Sequence, residues 1–251
     1  MNVKILSLNL WEGGLLCENI EKFLQKETPD ILCLQEVFNG DADQAKNFQS
    51  LSWLTALFPD YHSFYSPDLF EDRSDGEGDV GNLILSRFPF VEKKTIFLQG
   101  EYQKIVRPDD KSDFSKDPQN MQCVILDIEG EKLCVANVHG IWGLDGSDSP
   151  ERLQMSETIV NEIEGKTQLV VMGDFNLKPD TQTIANIEKH LINVFKGDMT
   201  TSFNMKHKTN PGYATAVVDM FFSSRDVKII SKRIPDDDVS DHKPLVVTIA
   251  I

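Results

Sequence analysis

The sequence has no long hydrophobic run. None of its apolar stretches approaches the roughly 20 residues that a helix needs to cross a bilayer. Residues 1–7 turn polar too quickly for a signal peptide and are typical of a first β-strand instead. These two absences predict a cytoplasmic protein. Apolar residues make up 40% of the 251 residues, enough for one sizeable core, so we expect a single domain over residues 1–251.

Cysteine is also scarce. The chain has four cysteines, Cys17, Cys33, Cys123 and Cys134, and no two of them form a CxxC pair. The last three fall in apolar, strand-like stretches, where cysteine behaves as a small hydrophobic residue. We therefore expect buried, reduced thiols. The pattern argues against a disulfide framework, a zinc site and a catalytic cysteine.

The sequence has fewer positively charged residues than negatively charged ones. The sequence has 25 lysines and arginines against 40 aspartates and glutamates, which gives a net charge of −15. Non-specific binding to nucleic acid relies on Lys and Arg neutralising phosphates, so this balance argues against strong binding to duplex DNA. It still allows a small basic patch. An acidic, metal-holding active site would add to the imbalance, and solubility explains the rest of the excess.

Hydrophobic spacing divides the chain into many short strands with helices between some of them. Apolar stretches predict strands at residues 3–9, 30–36, 61–66, 80–86, 90–98, 121–128, 132–139, 168–174, 216–223, 227–233 and 244–251. Helical spacing predicts helices at residues 15–26, 41–58, 150–164 and 180–191, the third with Ser149 as its N-cap. Polar stretches predict a mobile loop at 71–79 and a long loop at 100–119. Because consecutive strands often lack a helix between them, we expect an α+β fold with mainly antiparallel sheets covered by helices.

Polar side chains suited to catalysis occur where the predicted strands meet loops. Asp174 and Asn176 follow one apolar stretch, and Asp241 and His242 precede another. The same pattern holds for Asn9, for Glu36, and for His139 with Asn137. A strand holds such groups rigidly, while the loop leaves them open to a substrate. A carboxylate beside an amide, and a carboxylate beside an imidazole, suit metal-assisted attack on a phosphate ester.

Asp219 is unusual because it lies inside the apolar run at residues 216–222. A charge within a buried strand is costly unless it is paired or bound to a metal. Its natural partner is an imidazole or another cation. The alternative is a buried ion pair without a catalytic role.

The other candidates also have structural alternatives. Asn9 could cap a turn, Glu36 could be a solvated strand end, and His139 or His242 could be a hydrogen-bonded loop histidine. Taken one at a time, these alternatives compete with a functional role. Taken together, they require several coincidences in one order along the chain, which favours a shared site.

The order of these motifs resembles that of the endonuclease/exonuclease/phosphatase superfamily, over nearly the whole chain. The resemblance rests on residues 5–9 (ILSLN), 29–37 (PDILCLQEV), 81–87 (GNLILSR), 137–139 (NVH), 173–176 (GDFN), 218–222 (VDMFF) and 240–244 (SDHKP). It implies a four-layer α/β/β/α sandwich, in which two face-to-face, mainly antiparallel sheets are flanked by helices. It also implies hydrolysis of a phosphoester with Mg²⁺ or Mn²⁺.

The resemblance assigns metal binding to three residues. Glu36 would be the main ligand, with Asn9 beside it and Asp241 in support. Carboxylate and amide oxygens suit a hard cation that keeps several waters. One ion would polarise the phosphate and the leaving oxygen, and the sequence leaves a second ion open.

The resemblance assigns the remaining site residues to the reaction itself. Asp174 would orient or deprotonate the attacking water, and Asn176 would hold a phosphoryl oxygen. His242 would donate to the phosphate, with Asp219 fixing its tautomer and favouring its protonated form. His139 would lie on the leaving-group side, and Asn137 would support the site from behind.

Some positions depart from the superfamily pattern or are ambiguous. Val217 stands where DNA-processing members often carry an arginine, and no glutamate aligns clearly ahead of residue 80. Basic residues that could hold a second phosphate, or simply be solvated, are Lys206, His207, Lys208, Arg107 and Lys111. The apolar residues Phe70, Trp142 and Leu144 fit a substrate wall better than a membrane contact.

Three functions remain open on the sequence alone. The favoured one is a metal-dependent phosphodiesterase or phosphatase for a small or flexible phosphoester, such as a nucleotide, a sugar phosphate, a lipid head group or a nucleic-acid end. The second is a DNA endonuclease or exonuclease. The third is a non-catalytic binding module on the same fold, against which the full set of catalytic side chains argues. We expect a monomer.

Overall fold

Two β-sheets lie face to face in the computed structural model, which describes residues 1–107 and 113–251. The larger sheet contains β1 (Asn2–Asn9), β2 (Ile31–Asn39), β3 (His62–Arg73), β4 (Gly76–Ser86), β6 (Lys104–Arg107), β12 (Lys228–Arg233) and β13 (Leu245–Ala250). The smaller sheet contains β5 (Phe90–Gln99), β7 (Gln119–Ile128), β8 (Glu131–His139), β9 (Leu169–Asp174), β10 (Ile192–Asn193) and β11 (Asp219–Ser223). Lys111, one of the basic candidates, lies outside the described residues.

Most neighbouring strands are antiparallel, as predicted. The larger sheet has the order β12-β13-β1-β2-β4-β3-β6, and the smaller has β10-β11-β9-β8-β7-β5. Parallel pairing joins β1 to β2, β3 to β6, and β8 to β9. Asn9 is opposite Gln35 at the end of the first pair, and His139 is opposite Asp174 at the end of the third. The carboxyl ends of these strands form the edge at which the candidate residues meet.

Four α-helices cover the outer faces of the sheets within the described ranges. They are α1 (Cys17–Glu27), α2 (Ser50–Leu57), α3 (Pro150–Ile163) and α4 (Gln182–Glu188). Ser149 caps α3 as predicted, since its hydroxyl accepts a hydrogen bond from the Arg152 amide at 3.2 Å. None of the helices in the described part of the chain is long and apolar enough to span a membrane.

The hydrophobic core has three layers, which explains why the fold needs both sheets and helices. Strand residues of both sheets fill the central layer, including Val3, Ile5, Cys33, Val135, Met172 and Phe221. The side chains that alternate with them point outward to the helices: Leu6 and Leu8 contact the layer under α1 and α2, and Val171 and Phe222 the layer under α3 and α4. The fold is therefore the α/β/β/α sandwich that the resemblance implied. All four cysteines are free; Cys33 is buried, and the other three are only partly buried.

The prediction of a mobile loop at residues 71–79 is wrong. These residues form the end of β3 and the start of β4, a paired hairpin in which Arg73 is opposite Gly76. Its polar side chains are used in ion pairs: Arg73 contacts Glu12 at 3.0 Å and Asp75 at 2.8 Å, and Lys104 contacts Asp72 at 2.7 Å. Ion pairs with residues distant in the sequence stabilise this hairpin. Its strands lack the alternation of apolar and polar residues that would have predicted them.

Three further boundaries differ from the predictions. The helix predicted at 41–58 is a 3₁₀ turn at Lys46–Gln49 followed by α2. The long loop predicted at 100–119 contains β6 and a 3₁₀ turn at Phe114–Lys116. The strand predicted at 216–223 begins only at Asp219, so this aspartate opens the strand rather than lying within it.

Gly173 is required by the contact between β8 and β9. Its φ of +139° disfavours other residues, and an added Cβ would lie 2.0 Å from the Val138 carbonyl oxygen. We expect Gly173→Ala to lower the free energy of unfolding by at least about 2 kcal/mol, measured by urea denaturation. Gly212→Ala is the control, because its Cβ would meet only Asn210 Oδ1, at 3.4 Å. Equal unfolding midpoints for the two variants would contradict this account.

Candidate active site

A cavity of about 560 Å³ opens at the edge where β1, β2, β8 and β9 end. Six of the predicted site residues line it: Glu36, His139, Asp174, Asn176, Asp241 and His242. Asn9 and Asp219 contact these residues without lining the cavity: Asn9 is hydrogen-bonded to Glu36 and Asp174, and Asp219 to His242. The structure therefore brings together residues that are up to 233 positions apart in the sequence, from Asn9 to His242.

Glu36 is held at a bulge in β2, between Leu34 and Val37, with a positive φ of 55°. Its Oε1 accepts a hydrogen bond from Asn9 Nδ2 at 2.9 Å, and its Oε2 accepts one from the Glu12 amide at 2.6 Å. Burial raises the pKa of this carboxyl, but the charge of His139 and the two hydrogen bonds outweigh burial and hold the pKa below its ordinary value. Glu36 is therefore a fixed, ionised carboxylate.

Asn9 connects the two sheets. Its Nδ2 donates to Glu36 and also to Asp174 Oδ2, at 3.1 Å, so one amide group holds carboxylates from both sheets. Its Oδ1 accepts a hydrogen bond from the Trp11 amide at 2.9 Å, which leaves one lone pair of that oxygen for another partner.

His242 is surrounded by carboxylates. Its Nδ1 lies 2.8 Å from Asp219 Oδ2, and its Nε2 lies 3.8 Å from Asp174 Oδ2 and 3.9 Å from Asp241 Oδ1. Phe203 packs edge-on against the imidazole, with ring centroids 4.7 Å apart. Burial opposes the charged ring, but the three carboxylates outweigh it and raise the pKa of His242 to about 10. The imidazole is therefore protonated at neutral pH, and Nε2 is the ring nitrogen that the hydrogen bond with Asp219 leaves free.

Asp174 is the most enclosed carboxylate of the site. Its Oδ1 accepts a hydrogen bond from the Asn176 amide at 2.8 Å. Burial raises its pKa, the charge of His242 lowers it, and the net effect is a pKa above the ordinary value. Asn176 has a φ of 55° and donates from Nδ2 to the Gly140 carbonyl at 3.1 Å, which fixes its amide at the cavity wall.

The two remaining predicted residues differ in position. His139 ends β8 and lines the cavity, opposite Asp174 in the parallel register. Asn137 lies deeper, between the sheets, where it accepts from Gln35 at 2.5 Å and donates to Gln122 at 3.1 Å and to the Leu34 carbonyl at 3.0 Å. It contributes to a buried polar network that joins the sheets beneath the cavity.

The basic candidates are engaged in ion pairs. Lys208 contacts Asp241 Oδ2 at 2.6 Å, and His207 and Lys206 contact Asp238 at 2.8 and 3.6 Å. Arg107 is 7% exposed and forms ion pairs with both Glu71 and Asp117. Of the two alternatives that the sequence left open, a solvated side chain describes only Lys206, which is exposed, whereas Arg107 is buried and Lys208 is partly buried.

Sequence reasoning missed Arg152 and the turn at Trp11 and Glu12. Arg152 is buried and donates to the carbonyls of Ile141, Ser147 and Asn176, so it ties the loop after β8 to the loop after β9. Nothing in the sequence distinguishes it from a surface residue of α3. The following Gly13 and Gly14 were the available signal for the turn, in which four consecutive residues have positive φ.

Asp174, Asp219 and His242 are close enough together to hold a metal ion, but their chemistry argues otherwise. The pKa of His242 is raised to about 10, so its imidazole is protonated at neutral pH and has no lone pair with which to bind a metal ion. The oxygens of Glu36, Asn9 and Asp241 are a better donor set for a hard cation.

Comparison with known proteins agrees with the fold. A model of the Endonuclease/Exonuclease/phosphatase family matches residues 6–242, so the chain belongs to this family, as the motifs implied. Members of the family are generally hydrolases of phosphoester bonds and usually depend on a divalent metal. No curated protein sequence matched the chain.

Solved structures show the same fold at low sequence identity. A family member from Bacteroides vulgatus is 17% identical with a TM-score of 0.74, covering 100% of this chain and 99% of that one. A mannosyl-6-phosphatase from Bacteroides thetaiotaomicron is 18% identical with a TM-score of 0.72, covering 99% and 100%. The human Nocturnin catalytic domain with a bound sulfate is 18% identical with a TM-score of 0.69, covering 99% and 94%.

The contact with Asp219 should control the charge of His242. We expect Asp219→Asn to lower the pKa of His242 from about 10 by at least about one unit, because the nearest negative charge is removed. The measurement is an NMR titration of the imidazole in protein treated with EDTA. Asp226→Asn, on an exposed turn, is the control. A His242 pKa that stays the same in both variants would show that Asp219 does not set it.

Proposed function

We propose that this protein is a phosphoester hydrolase in which water attacks phosphorus directly, with Mg²⁺ or Mn²⁺ as cofactor. The single observation that carries the proposal is the protonated His242, held by Asp219 at one wall of a cavity that also contains Asp174 and the ionised Glu36. An acid, a base and a cation-binding carboxylate in one cavity are the groups that this reaction needs.

Glu36 would be the main ligand of the cation. Its carboxylate is ionised and held by two hydrogen bonds, so it needs little rearrangement to bind. Asn9 would contribute the free lone pair of Oδ1, and Asp241 would support through a carboxylate oxygen. When bound, the cation would supply Lewis-acid stabilisation of the phosphoryl oxygens.

Asp174 would orient the attacking water and accept its proton. Its raised pKa makes it a stronger base than an exposed aspartate, and the Asn9 and Asn176 contacts fix its oxygens. A water oxygen would form the new bond to phosphorus as its proton passes to Asp174. The bond from phosphorus to the leaving oxygen breaks as the new bond forms, the leaving oxygen keeps the electron pair and takes a proton from solvent to give the free alcohol, and no covalent enzyme intermediate is formed.

The remaining residues would bind the phosphate and the leaving group. His242 would donate its Nε2 proton to a phosphoryl oxygen, since that nitrogen has no hydrogen-bonded partner among the described residues. Asn176 would use the amide proton that Gly140 leaves free. His139 would stand near the leaving oxygen.

A small phosphoester is the substrate class that the charges favour. The net charge is −15, and three of the four lysines and arginines that line the cavity, Arg73, Arg107 and Lys208, are paired with carboxylates, which leaves Lys178 as the fourth; the cavity therefore offers little attraction for a polyanionic duplex. One structural neighbour is a mannosyl-6-phosphatase, and its name is compatible with a small substrate. These points argue against the DNA endonuclease and exonuclease alternatives.

Replacing His242 or Asp174 tests the proposed reaction. We expect His242→Gln and Asp174→Asn each to lower kcat by about 10²-fold or more on any phosphoester that the wild type hydrolyses with Mn²⁺, because each removes a group acting in the transition state. His190→Gln is the matched control, since His190 is exposed and does not line the cavity. Wild-type turnover in both site variants, or no turnover of any phosphoester by the wild type, would overturn the proposal.

Replacing Glu36 tests the cation site separately from turnover. We expect Glu36→Gln to weaken Mn²⁺ binding at least about tenfold in calorimetric titration, because the variant loses an ionised oxygen ligand. Glu157→Gln, on the exposed face of α3, should bind Mn²⁺ as the wild type does. An unchanged titration for Glu36→Gln would exclude this residue as the main ligand.

A further inference from the structure

Lys208 brings a positive charge to the proposed cation site. It is the member of the basic segment at residues 206–208 that lines the cavity, together with Glu36 and Asp241. Lys206 and His207 instead contact Asp238, which does not line the cavity. The ammonium of Lys208 lies 2.6 Å from Asp241 Oδ2, and Asp241 is one of the three residues proposed to bind the cation.

The backbone fixes this contact. The Asn204 amide donates to the Asp241 carbonyl at 2.7 Å, and the Lys208 amide donates to the Asn204 carbonyl at 3.1 Å. The side chain of Asn204 also donates to the Ser240 carbonyl at 3.0 Å. The turn that carries Lys208 is therefore bound directly to the segment that carries Asp241, so the two side chains meet because the loops are joined.

The Lys208 pair is more enclosed than the ion pairs at the surface. The side chains of Lys208 and Asp241 are 28% and 3% exposed, whereas the neighbouring Lys206 is 66% exposed and its ion pair is longer, at 3.6 Å. The Lys208 ammonium also lies 5.6 Å from the centroid of Phe203 and 5.3 Å from that of Tyr213. Water and salt screen an enclosed pair much less than an exposed one, so Lys208 has a strong electrostatic effect on Asp241.

Both oxygens of Asp241 have neighbours within the protein. Lys208 contacts Oδ2, and Oδ1 lies 3.3 Å from the Ser240 hydroxyl and 3.9 Å from His242 Nε2. A divalent cation bound to Oδ2 would lie within roughly 4–5 Å of the ammonium, where like charges repel strongly in an enclosed site. A cation can therefore use this oxygen fully only if Lys208 moves away from it.

We propose that Lys208 competes with the divalent cation for Asp241 and thereby lowers the affinity of the cation site. The inference rests on the proposed function, because it takes Asp241 as a ligand of the cation that Glu36 binds. Binding of the cation displaces the ammonium from Asp241 Oδ2. The rings of Phe203 and Tyr213 give the displaced ammonium a contact that it can keep, which makes its release from the carboxylate less costly.

Removing the charge of Lys208 tests the competition directly. We expect Lys208→Met to lower the Kd for Mn²⁺ about tenfold in calorimetric titration, because the cation no longer has to displace or approach an ammonium. Lys206→Met is the matched control, since it removes a lysine charge from the same segment outside the cavity. An unchanged Kd in Lys208→Met would overturn the proposal, and so would a higher one, which would mean that Lys208 positions Asp241 for the cation.

Two further substitutions at the same position separate charge from packing. Lys208→Arg keeps the positive charge and should bind Mn²⁺ no more tightly than the wild type. Lys208→Gln removes the charge but keeps a polar end, so it should bind more tightly, and it replaces the methionine variant if that protein does not fold. Tighter binding in Lys208→Arg equal to that in the neutral variants would overturn the proposal.

A double substitution tests whether Lys208 acts through Asp241. In an Asp241→Asn background the ammonium has lost its charged partner, so Lys208→Met should change the Kd for Mn²⁺ by about twofold or less. A gain that stays at about tenfold in this background would show that Lys208 repels the cation without competing for Asp241, which would overturn the proposal.

These titrations need no substrate, so they distinguish this inference from the proposed reaction. If the wild type hydrolyses no phosphoester, the proposed reaction fails, but tighter Mn²⁺ binding by Lys208→Met would still support the competition. If Mn²⁺ binds to Lys208→Met and not to the wild type, the competition is also supported. If Mn²⁺ binds to neither protein, the cation site and the role of Lys208 are both overturned.

Discussion

The Asn9 amide is the contact on which the site depends, because it donates to carboxylates from both sheets at once. Glu36 and Asp174 come from strands that share no backbone hydrogen bonds, yet both are bound to Asn9 Nδ2, at 2.9 and 3.1 Å. Hydrogen bonds to charged groups contribute about 1.5–3 kcal/mol each, which offsets part of the repulsion between buried carboxylates. His242 supplies the positive charge, and a divalent cation at Glu36 would supply more. The packing of the two sheets therefore determines the geometry of the proposed reaction.

Strained backbone conformations near Asn9 also help to hold the site carboxylates in place. Trp11, Glu12, Glu36 and Asn176 all have positive φ, a conformation that costs non-glycine residues about 1–3 kcal/mol where it is sparsely populated. In return, the Trp11 amide reaches Asn9, the Glu12 amide reaches Glu36, and the Asn176 amide reaches Asp174. Rigid donors keep the charged oxygens in place before any substrate arrives. The packing of the neighbouring strands offsets the free-energy cost of these positive φ angles.

The sequence predicted the strands, and the residues that gather around the cavity, better than it predicted the edges of the fold. Alternating apolar residues and strand-end motifs are local signals, so β1, β8 and β9 and the residues Asn9, His139 and Asp174 could be found from them. The hairpin at residues 71–79 could not, because Arg73 is stabilised by Glu12, which is 61 positions away. The same reason explains why the role of Arg107 was misjudged and why Arg152 was missed. Tertiary packing determines the partners of both arginines, and a single sequence does not show which residues pack together.

The excess of negative charge includes acidic residues with distinct roles at different positions in the cavity. Near His242, the carboxylates keep the imidazole protonated and would bind a cation, so acidity there supports phosphate chemistry. Farther along the cavity, Glu71 and Asp117 form ion pairs with Arg107, so this arginine offers little free positive charge there. In the proposed reaction, a phosphate beside Glu36 and Asp174 would therefore need a cation to offset their charge, and Arg107 would add little attraction for a second phosphate because its carboxylate partners already balance it.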